Sequence, residues 1–184
     1  MTRTTNARIA GFTFLFYIAA GIGTMTMAGR PHATSVLSLL TSFSALVLGV
    51  TLYAITREQD ADLALLALTC RVIEAIPGHE GAIFFAVGST LFSWLLLRGR
   101  MIPVALAWLG VLGSALLAMI LPLQRAGLLG GPMSWSSSVT WLVWLPVAVF
   151  EIALALWLLI KGVATPGRRD LEPRPQPLRF RDFT

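Results

Sequence analysis

Long apolar runs recur along this chain and constrain its fold more than any other feature. Read between charged residues, prolines and glycines, six such runs occupy residues 9–29, 33–55, 61–77, 81–97, 102–122 and 139–160. A helix needs about 20 apolar residues to cross roughly 30 Å of hydrocarbon. The sequence therefore predicts an all-α membrane protein, a bundle of six transmembrane helices.

The scarcity of charge excludes a soluble fold. Charged side chains make up 12% of the chain and apolar ones 56%, and the mean hydropathy is +0.77. An ordinary soluble domain carries about 25% charged residues. Half that proportion cannot cover the surface of a small globule. We therefore expect a lipid bilayer to surround the protein.

The residues outside the runs leave no room for a soluble domain. They form an N-terminal segment at 1–8, short connections and a tail at 161–184. The membrane domain is therefore predicted to cover 9–160. The runs at 61–77 and 81–97 are short, and Pro77-Gly78-His79-Glu80 separates them. Two full crossings and a re-entrant pair, which enters and leaves on one side, both fit this pattern.

The distribution of Lys and Arg predicts the orientation, because positively charged connections stay in the cytoplasm. With the N-terminus inside, only Arg30 and Arg125 fall outside, and Arg71 lies within a run. The other eleven fall inside: Arg3, Arg8, Arg57, Arg98, Arg100, Lys161, Arg168, Arg169, Arg174, Arg179 and Arg181. We expect a cytoplasmic (inner) membrane protein with both termini cytoplasmic.

The basic, proline-rich tail at 161–184 suggests contact with anionic lipid, because basic residues just inside a membrane are attracted to its headgroups. The sequence pI of about 10.7 needs no nucleic-acid partner, since the positive cytoplasmic side already accounts for it.

Charged side chains inside the runs are the strongest candidates for a functional site. A charge at the bilayer centre costs on the order of 2.5 to 3.5 kcal/mol even on a lenient scale. Apart from Asp62, the second residue of the third run, three occur: Arg71, Glu74 and Glu151. At about 1.5 Å per residue, Arg71 and Glu151 lie at matching depth, and Arg71 and Glu74 share a helix face. The cluster is either an ion-paired fastening between helices or a proton relay or substrate site.

Small residues recur every four positions in two runs and predict close helix packing. Gly110, Ser114 and Ala118 form one series, and Thr41, Ala45 and Gly49 form the other. Such faces serve contacts within a chain and contacts with a partner subunit alike.

No motif names a catalytic reaction, a metal or a cofactor. A Gly-x-Ser-x-Gly turn and a phosphate-binding glycine loop are missing from the sequence, and Cys70 is the single cysteine. His32, His79 and Glu80 are weak metal candidates, because their spacing matches no metal motif. We therefore expect no catalytic residue, no cofactor and no metal.

Several segments together resemble an uncharacterised bacterial integral membrane family. They are Ala7-Arg8-Ile9-Ala10-Gly11, Leu63 to Ile76, Arg98-Gly99-Arg100 followed by Ile102-Pro103, and Glu151 through Trp157 to Lys161-Gly162-Val163. The family is catalogued as domain of unknown function 4386. The resemblance implies a multi-helix bundle and carries no established activity.

Three functions remain open at this point. The first is a structural or regulatory subunit of a larger membrane assembly, with other membrane proteins as partners. The alternative is a small transporter or proton-coupled permease that uses Arg71, Glu74 and Glu151. The third is a membrane enzyme that acts on lipids or quinones.

Overall fold

Six α-helices make up the regular structure of the described residues. The computed structural model describes residues 2–76, 81–129 and 138–164, with side chains from 140 onward in the last range. The helices are α1 Arg3–Thr26, α2 Pro31–Thr56, α3 Ala61–Glu74, α4 Gly81–Arg98, α5 Val104–Arg125 and α6 Ser138–Ile160. No strand occurs within these ranges.

Five of these helices, α1, α2, α4, α5 and α6, are long and apolar enough to cross a membrane. The chain is therefore that of a multi-pass membrane protein. Several helices begin or end beyond the apolar runs, because capping as well as polarity sets the ends of a helix. At α1 the side chain of Thr2 accepts a hydrogen bond from the Thr5 N–H, so the helix begins at Arg3 instead of residue 9.

The third helix is shorter than the predicted span at 61–77. It contains 14 residues and is therefore about 21 Å long, which is less than the roughly 30 Å of the hydrocarbon core. Proline disfavours a helical conformation in the residue before it, and Pro77 follows closely. Five of the six helices are thus long and apolar enough to cross a membrane, and the run at 61–77, already short in the sequence, contains the short helix α3.

The helices form a closed ring in chain order. Each helix packs against the next one in sequence, and α6 returns to pack against α1. Both ends of the described chain lie at the same end of this ring. Arg3 Nη2 donates to the carbonyl of Ile55 at 2.9 Å, and the Ala164 N–H donates to the carbonyl of Met101 at 3.0 Å. We call this the termini end and the other the opposite end.

The turn between α4 and α5 holds a residue in the left-handed region. Arg100 has a φ of 48°, a conformation that costs a residue with a Cβ about 1 to 2 kcal/mol. We expect Arg100→Gly to raise the free energy of unfolding by about 1 kcal/mol, measured by denaturation in detergent. Arg100→Ala removes the same charge and retains the Cβ, so it should bring no such gain. Equal stability of the two variants would contradict this interpretation.

Candidate functional site

The three charged residues predicted to cluster lie together in the bundle interior. Arg71 lies three residues before Glu74, the last residue of α3, and its side chain is 1% exposed. Its Nη1 lies 2.9 Å from Glu74 Oε2, and its Nη2 lies 3.9 Å from Glu151 Oε1 on α6. The guanidinium thus reaches from α3 across the ring to α6, which is not its neighbour in the helix order.

Neighbouring side chains complete the surroundings of Arg71. Its Nη2 donates to Ser89 Oγ at 2.9 Å, and its Cζ lies 4.8 Å from the ring centre of Phe85. Tyr17 donates from its hydroxyl to Glu74 Oε1 at 2.7 Å. These four helices, α1, α3, α4 and α6, therefore meet at one polar cluster, hereafter the Arg71 cluster: Arg71, Glu74, Glu151, Ser89 and Tyr17.

Two glycines make room for the Arg71 stem. A Cβ on Gly49 of α2 would lie 3.0 Å from Arg71 Cβ, and a Cβ on Gly88 of α4 would lie 3.1 Å from Cys70 Cβ. The absent side chains let α2 and α4 close on both sides of α3. Gly49 belongs to a predicted packing face. Gly88 was missed, although the pair Gly88-Ser89 in an apolar run is a signal for close packing.

Some buried polar atoms of the Arg71 cluster have no hydrogen-bond partner among the described residues. Among the described residues, Glu151 Oε1 and Arg71 Nε are buried and have no hydrogen-bond partner. Buried polar atoms without partners are uncommon, and each calls for an explanation such as a bound water, an ion or a catalytic role. The cluster also combines one guanidinium with two carboxyl groups, so its formal charge is −1 when both carboxyls are ionised.

Two adjoining cavities open onto the Arg71 cluster from the opposite end. A cavity of about 260 Å³ is bordered by Tyr17, Glu74 and Phe85, among others. A second, of about 590 Å³, is lined by Thr34, Ser35, Ser38, Leu39, Ser42, Glu74 and Ile76. Ser42 and Glu74 line both cavities. We refer to the two together as the vestibule.

Aromatic and aliphatic side chains close the cluster toward the termini end. Arg71 and Ser89 border a small space of about 10 Å³ there, together with Phe14, Phe92 and Phe150. One water molecule needs about this much volume. The Arg71 cluster is therefore open on one side and sealed on the other.

The predicted small-residue faces make contacts within the chain. A Cβ on Gly110 would lie 2.5 Å from the Phe150 ring and 2.6 Å from Ser93 Oγ. Ser114 is fully buried, Ala45 is buried, and Ala118 packs against a buried apolar cluster. The Thr41 hydroxyl donates to its own helix at the Leu37 carbonyl, 2.9 Å away. Gly110, and Gly49 described above, thus lie at close contacts between helices, whereas the Thr41 hydroxyl bonds within α2.

The weak metal candidates are not brought together in the described part of the chain. His32 is exposed at the beginning of α2, and His79 and Glu80 lie outside the described residues. Within the ranges that the structure covers, no three His, Cys, Asp or Glu residues form a group that could hold a metal ion.

Comparison with known proteins supports the resemblance that the sequence suggested. No curated protein and no solved structure matches the chain. A family model does match, over less than half of the chain, from before α4 to just after α6. The matched part contains Ser89 and Glu151, whereas Tyr17, Arg71 and Glu74 precede it. Residues 78–162 thus match the family described as Domain of unknown function (DUF4386), which confirms the resemblance in this part of the chain.

Proposed function

We propose that this protein is a small proton-coupled transporter in which the Arg71 cluster is the polar site. The observation that carries the proposal is the buried Glu151 Oε1, which has no hydrogen-bond partner among the described residues and lies 3.9 Å from Arg71. A cluster that only joined helices would be most stable with every buried polar atom hydrogen-bonded, because each unpaired one costs free energy. An incompletely paired carboxyl is suited to take up and release a proton.

The composition of the cluster indicates which group would carry the proton. A guanidinium stays charged under all ordinary conditions, so the carboxyl groups are the exchangeable ones. Glu74 is held by Arg71 and Tyr17, whereas Glu151 is held by one long ion pair. A proton on Glu151 would cancel that attraction and leave Arg71 paired with Glu74 and Ser89. Glu151 is therefore the switching carboxyl in this proposal, and no catalytic reaction is assigned to it.

The proposal places the protein in the cytoplasmic membrane with the termini end facing the cytoplasm. Basic side chains at that end support this orientation, because positive connections remain inside. Arg57, Arg98, Arg100 and Lys161 are all exposed there. They would contact anionic lipid, together with the rest of the basic tail at 165–184, which lies outside the described residues. The vestibule would then open toward the outside of the cell.

A second candidate function is a structural or regulatory subunit of a larger membrane assembly. Its support is the apolar face of α2 near the opposite end, where Val36 is 56% exposed and Phe43 is 67% exposed. A partner helix would bury this face in place of lipid. The two glycines of the small-residue faces, Gly49 and Gly110, pack against other helices of this chain and therefore give this candidate no support. The native mass of gently extracted protein tests this candidate, and a partner present in stoichiometric amount would establish it.

Flux measurements on Glu151→Gln test the transport proposal. In vesicles that contain a pH-sensitive dye, a potassium gradient with valinomycin would drive proton movement while small polar solutes are added in turn. We expect the wild type to exceed empty vesicles. Glu151→Gln should lose at least about 90% of that flux, as expected for removal of a required proton-transfer group, while still folding and inserting.

Glu58→Gln is the matched control for this experiment. Glu58 also pairs with an arginine, Arg3 at 3.3 Å, but its side chain is 61% exposed at the termini end. It should keep full flux. Normal flux in Glu151→Gln, or a wild type that does not exceed empty vesicles, would refute the transport proposal.

A further inference from the structure

The vestibule exists because α3 stops partway along α2. Beyond Glu74, the half of α2 nearer the opposite end has no α3 residue beside it. The α2 residues that line the vestibule there include four hydroxyl side chains at helical spacing: Thr34, Ser35, Ser38 and Ser42. Residues three and four apart share a helix face. The opposite face of the same segment carries the exposed apolar side chains of Val36, Leu40 and Phe43.

The two faces of this segment thus differ in chemistry. Val36, Leu40 and Phe43 suit hydrocarbon, whereas a row of hydroxyls beside an open cavity suits water. A cavity of about 590 Å³ holds several water molecules, since each occupies about 30 Å³ in the liquid. The hydroxyl row leads to Glu74 at the inner end of the vestibule.

Charge favours a cation over an anion in this space. Glu74 is the single charged side chain among the described residues that line the vestibule. An anion that approached Arg71 would have to displace Glu74, which contacts Arg71 at 2.9 Å, and would meet Glu151 beyond it. Among the described residues that line the vestibule, a proton or another small monovalent cation meets hydroxyl oxygens and one carboxylate as its polar contacts on α2 and α3.

From these observations we infer that the hydroxyl face of α2 and Glu74 form a one-sided, water-filled entrance for protons or other small monovalent cations. The entrance begins at the opposite end and stops at the Arg71 cluster, because Phe14, Phe92 and Phe150 close the space between the cluster and the termini end. This inference rests on the proposed function and adds the ligand charge and the direction of access. Glu74 lines the inner end of the entrance, and Tyr17 holds its carboxylate in place at 2.7 Å.

Cysteine labelling tests the entrance without a known substrate. Cys70 is the single cysteine, so Cys70→Ala gives a background without thiols. Ser38→Cys and Phe43→Cys are then compared in lipid vesicles, with membrane-impermeant methanethiosulfonates of similar size and opposite charge. Ser38→Cys should react at least about tenfold faster than Phe43→Cys, because the thiolate that reacts forms only in contact with water.

The labelling rates of the cationic and anionic reagents show which sign of charge the entrance favours. In Ser42→Cys, adjacent to Glu74 in the vestibule, the cationic reagent should react several-fold faster than the anionic one. In Ser35→Cys, nearer the mouth, this preference should be smaller. A cleft lined by one sign of charge concentrates its counter-ions in this way. Glu74→Gln should abolish the preference in Ser42→Cys, and the contrast between Ser42 and Ser35 decides the question if that variant does not fold.

Sidedness is measured against Lys161→Cys, an exposed position at the termini end. The reagent is added only outside vesicles that hold the protein in both orientations. Ser38→Cys should then be labelled in the molecules whose opposite end faces out, and Lys161→Cys in those whose termini end faces out. Three results would each overturn the inferred entrance. They are equal reactivity of Ser38→Cys and Phe43→Cys, a preference for the anionic reagent, and labelling of Ser38→Cys in the same molecules as Lys161→Cys.

The results also separate the entrance from the transport proposal. Fast, cation-selective labelling together with an absence of flux would support the entrance and refute transport. Flux that depends on Glu151 together with unreactive Ser38→Cys would support transport and refute the entrance. Where both hold, vesicles with imposed proton, sodium or potassium gradients would identify the cation, and a flux confined to larger anionic solutes would overturn the inference.

Discussion

Replacing Arg71 with Met is expected to lower the free energy of unfolding by about 3 to 5 kcal/mol. The substitution retains an apolar stem and removes the guanidinium. Glu74 and Glu151, whose side chains are 7% and 8% exposed, would then be left in the bundle without their cation. Denaturation of the purified protein in mixed detergent micelles, followed by circular dichroism, measures this loss.

The exposed pair Arg98 and Asp60 provides a matched control. These two side chains lie 3.4 Å apart and are 55% and 30% exposed. Surface pairs contribute between zero and about 1 kcal/mol, so Arg98→Met should be nearly neutral. Similar losses of unfolding free energy from Arg71→Met and Arg98→Met would contradict the expectation that burial makes the Arg71 ion pairs more important for stability.

A variant of the cluster without charges distinguishes the effect of an unpaired charge from the effect of a changed side-chain shape. The triple variant Arg71→Met, Glu74→Gln, Glu151→Gln leaves no unpaired charge, and replacement of a whole buried ion pair is often neutral or stabilising. We expect it to recover most of the stability lost by Arg71→Met. A triple variant as unstable as the single one would show instead that the guanidinium contacts to Ser89 and Phe85 carry the effect.

The second large effect is expected at Gly11, where α1 crosses α6. A Cβ there would lie 2.7 Å from the Ala155 carbonyl oxygen and 2.9 Å from the Leu159 backbone nitrogen. Backbone atoms cannot move aside as a flexible side chain can, so the two helices would have to separate. We expect Gly11→Ala to destabilise the protein by about 1 to 3 kcal/mol, measured by the same denaturation.

Gly21 in the same helix is the control for this substitution. A Cβ at Gly21 would meet no atom within 4 Å. Alanine is favoured over glycine inside a helix by roughly 0.5 to 1 kcal/mol, so Gly21→Ala should be neutral or slightly stabilising. Equal effects at Gly11 and Gly21 would contradict the close approach of α1 and α6.

The glycines illustrate how far spacing alone can identify packing contacts. Gly110 and Gly49 belong to series of small residues at four-residue intervals, and the structure places both at close helix contacts. Gly11 and Gly88 lie at equally close contacts, but neither was predicted as a packing residue. A tight crossing needs one small residue at the crossing point, and the position of that point depends on both helices.

The apolar runs alone were enough to identify a multi-pass helical membrane protein, the approximate positions of its helices, and the charged residues that lie deep within those runs. Lipid is a uniform apolar solvent, so the local hydropathy of each segment decides what can enter it. The tertiary structure decided that α3 is short, that Tyr17 and Ser89 join Arg71, and that a vestibule opens beside Glu74. These features arise where segments far apart in the chain meet, and no local pattern records such contacts.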